Sequence, residues 1–231
     1  MNDMSEATST PRRGRPAVTS RARILTAARR IIDREGWRRL TLRRLSSELG
    51  VGTTTLYHHV RDREDLLVQL LNEDAARTLT EVELPADPRD RIVTAMGAVH
   101  DALAETPWAA EVLTVDGFLP RMGEPALRVV DAVLSAAVEL GCTQEQAVDL
   151  FRTAWYLTAG ELLVRSRSGE LSQDAQRRAD WSRETFADPR MPQLAAIGER
   201  WPELAARDTF RAGLTALIDG MLAGSAGESA R

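Results

Sequence analysis

Two short helical-period segments joined by Gly50-Val51 constrain this chain more than any other stretch. Between Thr41 and Leu67 it reads TLRRLSSELGVGTTTLYHHVRDREDLL. Leu42, Leu45 and Leu49 recur at helical spacing, and Gly50-Val51 stops that run. Leu56 and Val60 then mark the inner face of a second short helix. Two short helices around a glycine-containing turn form a helix-turn-helix, whose second helix can lie in a DNA major groove while the first braces it. The layout predicts a nucleic-acid-binding head.

Charge separates along the 231 residues in the manner such a head requires. The chain carries a formal charge of -4. Residues 1–60 carry twelve Arg against five acids, a balance of +7, while the remainder stands at -11. A basic segment on an acidic body lets one end of a molecule meet phosphate while the other stays off it. All 30 basic residues are Arg, across the whole chain, which reads as a coding bias rather than a local feature. The one cysteine, Cys142, cannot form a disulfide within the chain, and no apolar run reaches the length of a membrane span. With a polar N-terminus lacking a secretory pattern, these features predict a cytoplasmic protein without membrane contact.

Helical periodicity runs through the rest, and nothing reads as a strand. Ser20 is a suitable N-cap for a first helix with Ile24, Ala28, Ile31 and Ile32 on one face, ending at Gly36. Thr41 caps the second helix and one of Thr53–Thr55 the third. Asp62 and Asp65 open a fourth, running to about Leu79. Pro85 and Pro88 make a break. Ile92, Met96, Val99 and Leu103 then form a stripe ended at Thr106-Pro107. A shorter segment follows from Trp108, then a helix after Pro125 that stops at Gly141. Thr143 and Gln146 form a capping box for a long helix over 143–167. Residues 168–200 are charged and weakly periodic, with Trp181 and Phe186 as isolated anchors. Phe210, Leu214, Leu217 and Met221 define a last helix. Three segments result: a disordered basic arm (1–19), a helix-turn-helix domain (20–66) and a helical body (67–231).

The head resembles the DNA-binding domain of the TetR family of bacterial repressors. Thr41, Arg43, Leu45, Leu49-Gly50-Val51, Leu56-Tyr57, His59, Asp62 and Leu66-Leu67 stand where that family's pattern puts them. Arg44 and Val60 depart from it. The Thr-Pro-Trp stretch and the Tyr-Leu-Thr-Ala-Gly-Glu of the long helix are similar to the C-terminal domain of its tetracycline-repressor subgroup. The resemblance implies an all-α protein with an N-terminal three-helix head and a larger helical ligand-binding and dimerisation domain. It implies a homodimer joined through the long helix and the last one. The wide apolar arc of 143–167 suits a helix packed on its own core and on a partner, though a monomer's central helix would also carry such an arc.

On this reading the partners are a double-stranded DNA operator and a small organic effector. Thr41 would meet phosphate at a helix N-terminus, and Arg43 a guanine edge. Thr53, Thr54 and Thr55 would touch bases or phosphates, with Tyr57, His58 and His59 completing the reading helix. The resemblance gives Tyr57 and His59 to phosphate and makes Arg63 a further phosphate clamp. Arg12, Arg13 and Arg15 form an arm able to follow a minor groove, or a tail with no defined contact. For Arg44, phosphate contact and plain solvation both stand open. Met96, His100, Trp108, Phe118, Met122, Phe151 and Trp155 are expected to line an effector cavity. No enzyme motif is present, and His100 with one Cys makes no closed metal site. No cofactor is expected. A ligand-released repressor is the leading expectation; a ligand-independent architectural DNA binder or an activator are its rivals.

Overall fold

A computed structural model describes residues 19–114, 118–170, 188 and 190–228. Among these residues all regular structure is helical. The chain divides into two compact units between Leu66 and Leu67.

In the first unit, α1 (Arg21–Glu35) starts at Ser20, whose hydroxyl accepts from Arg23 N, and ends at Gly36 with φ +83°. A 3-10 turn, Trp37–Arg39, leads to Thr41, whose hydroxyl accepts from Arg44 N and caps α2 (Leu42–Leu49). Gly50 adopts the left-handed conformation at φ +65°. Val51 N donates to Ser46 O at 3.1 Å and Gly50 N to Ser47 O at 3.4 Å. This paired closure satisfies the helix's last carbonyls and turns the chain sharply, and only glycine enters that conformation without a steric cost. The third helix, α3 (Thr53–Tyr57), takes Gly52 as its N-cap with no side-chain bond, which corrects the expected threonine cap. The backbone leaves the Gly50 turn already extended at Gly52, one residue before the first threonine.

Ile24, Ala28, Ile31, Leu40, Leu45, Leu56 and Leu66 are all fully buried. Each large aliphatic among them contributes roughly 1.5–3 kcal/mol through burial. Outside that core, Arg44 bonds Glu35 at 2.7 Å and Glu48 at 3.0 Å, while Arg34 bonds Glu48 at 2.9 Å. Arg44, still partly exposed, is therefore not simply solvated; it ties α1 to α2. The hydrogen bond from Arg44 holds the Glu35 carboxyl below the usual glutamate range, and that from Arg34 does the same for Glu48. A depressed folded-state pKa adds stability above the unfolded value and loses it as pH falls through the folded one. Thermal melts of the full chain should therefore drop as pH falls below about 4.5. Arg44→Gln should shrink that drop; an unchanged drop would show that these pairs contribute nothing.

The fourth helix, α4 (Arg63–Leu79), begins in the first unit and continues in the second. Asp62 Oδ1 accepts from Asp65 N at 2.7 Å at its start. The second unit adds α5 (Pro88–Ala104), α6 (Pro107–Leu113), α7 (Glu124–Glu139), α8 (Gln144–Glu170), α9 (Pro192–Ile197), α10 (Trp201–Ala205) and α11 (Phe210–Glu228). Both halves of the capping box at α8 form: Thr143 N donates to Gln146 Oε1 at 2.9 Å and Gln146 N to Thr143 Oγ1 at 3.2 Å. The expected anchors Trp181 and Phe186 lie outside the described residues.

The second core gathers Ile92 and Met96 of α5, Val133 and Ala137 of α7, Leu150 and Ala154 of α8, and Phe210, Leu214 and Ile218 of α11. The deepest line on α11 runs at i, i+4, i+8. Leu217 and Met221, expected on that line, are only partly buried at its flank. Arg89 of α5 pairs with Asp219 of α11 at 2.6 Å, outside the core.

Candidate DNA-reading face and ligand cavity

Several polar groups of the first unit stand in solvent around α3. Thr53, Thr54 and Thr55 are exposed, as are Thr41, Arg43 and His58. Tyr57 is 59% exposed although Leu56 beside it is fully buried. With Gly52 as the cap, no threonine hydroxyl is spent on closing the helix. The guanidinium of Arg43 makes no hydrogen bond among the described residues, and its carbonyl accepts from Ser46 and Ser47 hydroxyls. His58 and His59 follow α3 in a turn, where His59 N donates to Leu56 O at 2.8 Å and His59 is half-buried. The expected arm residues Arg12, Arg13 and Arg15 lie outside the described residues.

Arg63 departs from the expectation of a phosphate clamp. Its Nε donates to Leu40 O at 2.7 Å and its Nη2 to Trp37 O at 2.9 Å. The guanidinium also lies 5.0 Å over the Trp37 ring, which Arg38 approaches at 5.3 Å. A planar fork suits two carbonyls three residues apart better than any other side chain could. Arg63 thus closes the 3-10 turn that delivers Thr41 to the start of α2.

The second unit holds a cavity of about 560 Å³ with a largely apolar lining. Phe118, Met122, Phe151 and Trp155 line it, as the sequence suggests. Met96, His100 and Trp108 do not belong to the lining. Met96 is fully buried in the helical core, filling space between α5 and its neighbours. His100 stacks on Phe210 at 3.8 Å, with Nε2 2.9 Å from Glu161 Oε2 and Nδ1 3.1 Å from Asp101 Oδ1. Those polar partners satisfy a ring held against the core. Trp108 is half-buried on α6, whose Ala109 and Leu113 reach the cavity instead.

One wall escapes the sequence reading: Leu71, Asp74, Ala75, Thr78 and Leu79, all from α4. A signal for it exists. Asp74 falls four residues after Leu70 and seven after Leu67, an acid on an otherwise apolar face. Asn72 of the same helix binds the turn beneath the cavity. Gly123 N donates to Asn72 Oδ1 at 2.6 Å and Asn72 Nδ2 to Arg121 O at 3.3 Å. The helix that opens in the head is therefore tied to the 119–123 turn carrying Leu119 and Met122.

A helix-turn-helix head, a drug-sized cavity and one continuous helix serving both define a class: small-molecule-sensing transcriptional regulators that bind DNA. Comparison with known proteins agrees. Residues 24–70 match the family model of bacterial regulatory proteins of the tetR family, and residues 84–224 match the tetracyclin repressor-like C-terminal domain. The HTH-type transcriptional repressor DrrR1 of Streptomyces coeruleorubidus is 30% identical over 95% of this chain and 84% of its own length. The tetracycline repressor protein class A from transposon 1721 of Escherichia coli is 27% identical, over 86% of this chain and 88% of that protein. Among solved structures, the Streptomyces coelicolor TetR family protein ActR in complex with actinorhodin superposes with a TM-score of 0.72. It is 24% identical over 90% of this chain and 98% of ActR, a likeness of fold. The chain belongs to the TetR family of bacterial regulatory proteins. That family is one of DNA-binding transcriptional regulators rather than enzymes.

Proposed function

We propose that this protein works as a homodimer in the cytoplasm, holds a near-palindromic operator, and leaves it when a small organic effector fills the cavity. The observation that carries this reading is α4, which begins in the head and supplies one wall of the cavity. Each protomer sets α3 in a major groove. Thr41, the three α3 threonines, Tyr57, His58 and His59 meet bases and phosphates; Arg43 reads a base edge; Arg63 braces the turn behind them. Effector contacts with Leu71, Asp74 and Thr78 displace α4 and change the separation of the two heads. Because a ligand moves an equilibrium only through unequal affinity for its two states, the effector must prefer the spacing that does not fit DNA. No helix among the described residues is long and apolar enough to cross a membrane.

Dimerisation draws support from two open helix faces. On α8, Tyr156, Gly160 and Val164 recur every four residues and are exposed. On α11, Gly213, Ala216, Gly220 and Gly224 are exposed, and a Cβ on Gly160, Gly213, Gly220 or Gly224 would meet nothing within 4 Å. Small residues allow a partner's helices to approach closely.

The test is a gel shift against the DNA upstream of the protein's own coding sequence, with and without candidate effectors. Arg43→Ala should cost roughly 1–3 kcal/mol of operator affinity and relax preference at one base position of each half-site. A uniform loss across all sequences would remove Arg43 from base reading. Equal affinity for operator and random DNA at moderate salt would favour an architectural binder instead.

A further inference from the structure

We infer that Asn72 couples the 118–123 turn to α4, so that a guest pressing on the turn also moves the helix. This inference rests on the ligand-responsive reading above and names a positioning residue through which that site is regulated. Asn72 is half-buried on α4, between the lining residues Leu71 and Asp74, and is not itself part of the lining. Its Oδ1 accepts from Gly123 N at 2.6 Å and its Nδ2 donates to Arg121 O at 3.3 Å. The two partners fix the orientation of the amide, since a backbone N–H only donates and a carbonyl only accepts. Gly123 gives that amide room: a Cβ there would stand 3.3 Å from Asn72 Oδ1 and 3.4 Å from its Cγ.

What Asn72 holds is a stiff piece of chain. Arg121 N donates to Phe118 O at 2.9 Å and Met122 N to Leu119 O at 3.0 Å, so the turn is closed by its own bonds. Leu127 N then donates to Gly123 O at 3.2 Å, which joins the turn to α7. Phe118, Leu119, Met122 and Ala126 of this piece all line the cavity. A guest that presses on them shifts the piece as a unit, and the amide of Asn72 hands the shift to α4. The apolar contacts of Leu71, Ala75 and Leu79 are non-directional and tolerate sliding, whereas a doubly bonded amide fixes both distance and direction. Arg77 also ties α4, to Glu105 at 3.1 Å, but both side chains are 57% exposed and water screens that pair. Through Asn72 the position of the turn enters the free-energy difference between two placements of α4, which is what coupling requires.

A tethered occupant tests this coupling on the full chain. Met122→Cys, combined with Cys142→Ala to remove the native thiol, is labelled with N-phenylmaleimide, which adds an aromatic group at the lining. Operator DNA is selected from a random-sequence pool with the unlabelled protein, and affinity is read by fluorescence anisotropy. Labelling should lower operator affinity about tenfold, within the range usual for coupled sites. With Asn72→Ala added, helicity and unlabelled affinity should hold, and labelling should lower affinity by less than about threefold. Gly123→Ala, which crowds the same amide, should also blunt the effect of the label. Both substitutions together should do no more than Asn72→Ala alone, because they break one contact. If Asn72→Ala does not fold, Gly123→Ala decides alone. A tenfold loss on labelling whatever stands at 72 and 123 overturns the role of Asn72 while leaving a responsive cavity. An unlabelled Asn72→Ala protein that folds yet loses operator binding makes Asn72 a brace and overturns it too. A label without effect on any of these proteins, or a pool that yields no preferred DNA, removes the ligand-responsive reading itself and this inference with it.

Discussion

Replacing Arg63 by Ala should destabilise the DNA-reading unit by about 2–4 kcal/mol and weaken binding to every DNA sequence alike, with the salt dependence of binding unchanged. The side chain makes two charge-assisted bonds, at 2.7 Å to Leu40 O and 2.9 Å to Trp37 O; each is worth about 1.5–3 kcal/mol when shielded and less here, because the guanidinium is only half-buried. Removing it takes the donor from Leu40 O, leaves Trp37 O with its bond from Leu40 N alone, and strips a cation from the Trp37 face. The turn that sets Thr41 then loosens, so a smaller fraction of protein presents α2 and α3 correctly. Arg63→Lys should recover only part of the loss, because one ammonium cannot reproduce the planar fork. The opposite result is equally readable. A phosphate contact would lower the salt slope by about one per subunit and leave the melting temperature alone. Thermal melts and a salt titration of operator binding together separate the two.

Gly220→Arg should convert the protein to monomers and reduce operator affinity by about 10²–10⁴-fold, the advantage conferred by engaging two linked half-sites. Nothing in the protomer opposes this substitution: a Cβ at Gly220 meets no atom within 4 Å, and the residue is exposed. Exchanging a mid-helix glycine for arginine should even favour α11 by a few tenths of a kcal/mol or more. Loss of assembly with retained or raised helicity is therefore the expected signature, read by analytical ultracentrifugation and circular dichroism. A variant that stays dimeric and binds operator normally places the two-fold interface elsewhere. Leu157 of α8 would serve this test less well. It packs partly buried against the protomer's own core, so a charge there would damage folding as well as assembly.

Much of the reading head was legible because its signals are short-range. The Ser20 and Thr41 caps, the left-handed Gly50 and the Asp62 start of α4 each rest on bonds spanning a few residues. The Thr143–Gln146 box was legible for the same reason. Even so, a run of three threonines could not reveal that Gly52 caps α3, since the choice depends on where the preceding turn leaves the backbone. In the body, aromatic content pointed to a cavity and identified Phe118, Met122, Phe151 and Trp155, yet included Met96, His100 and Trp108. An apolar residue on a helix stripe fills a core or lines a hole with the same periodicity.

Local chemistry along the chain thus determined the longer helices, several of their caps, the helix-turn-helix and the charge divided between head and body. Tertiary structure alone decided which groups are already occupied. Arg63 finds its carbonyls 23 and 26 residues earlier in the chain, and Arg44 its second carboxylate nine residues away. Asp74 becomes part of a cavity only where α4 meets residues from α5, α6, α7 and α8. The physical reason is range. Caps and turns are satisfied by neighbours in sequence, whereas the partner of a long side chain and the wall of a cavity are supplied by whichever distant segment packing brings within a few ångströms.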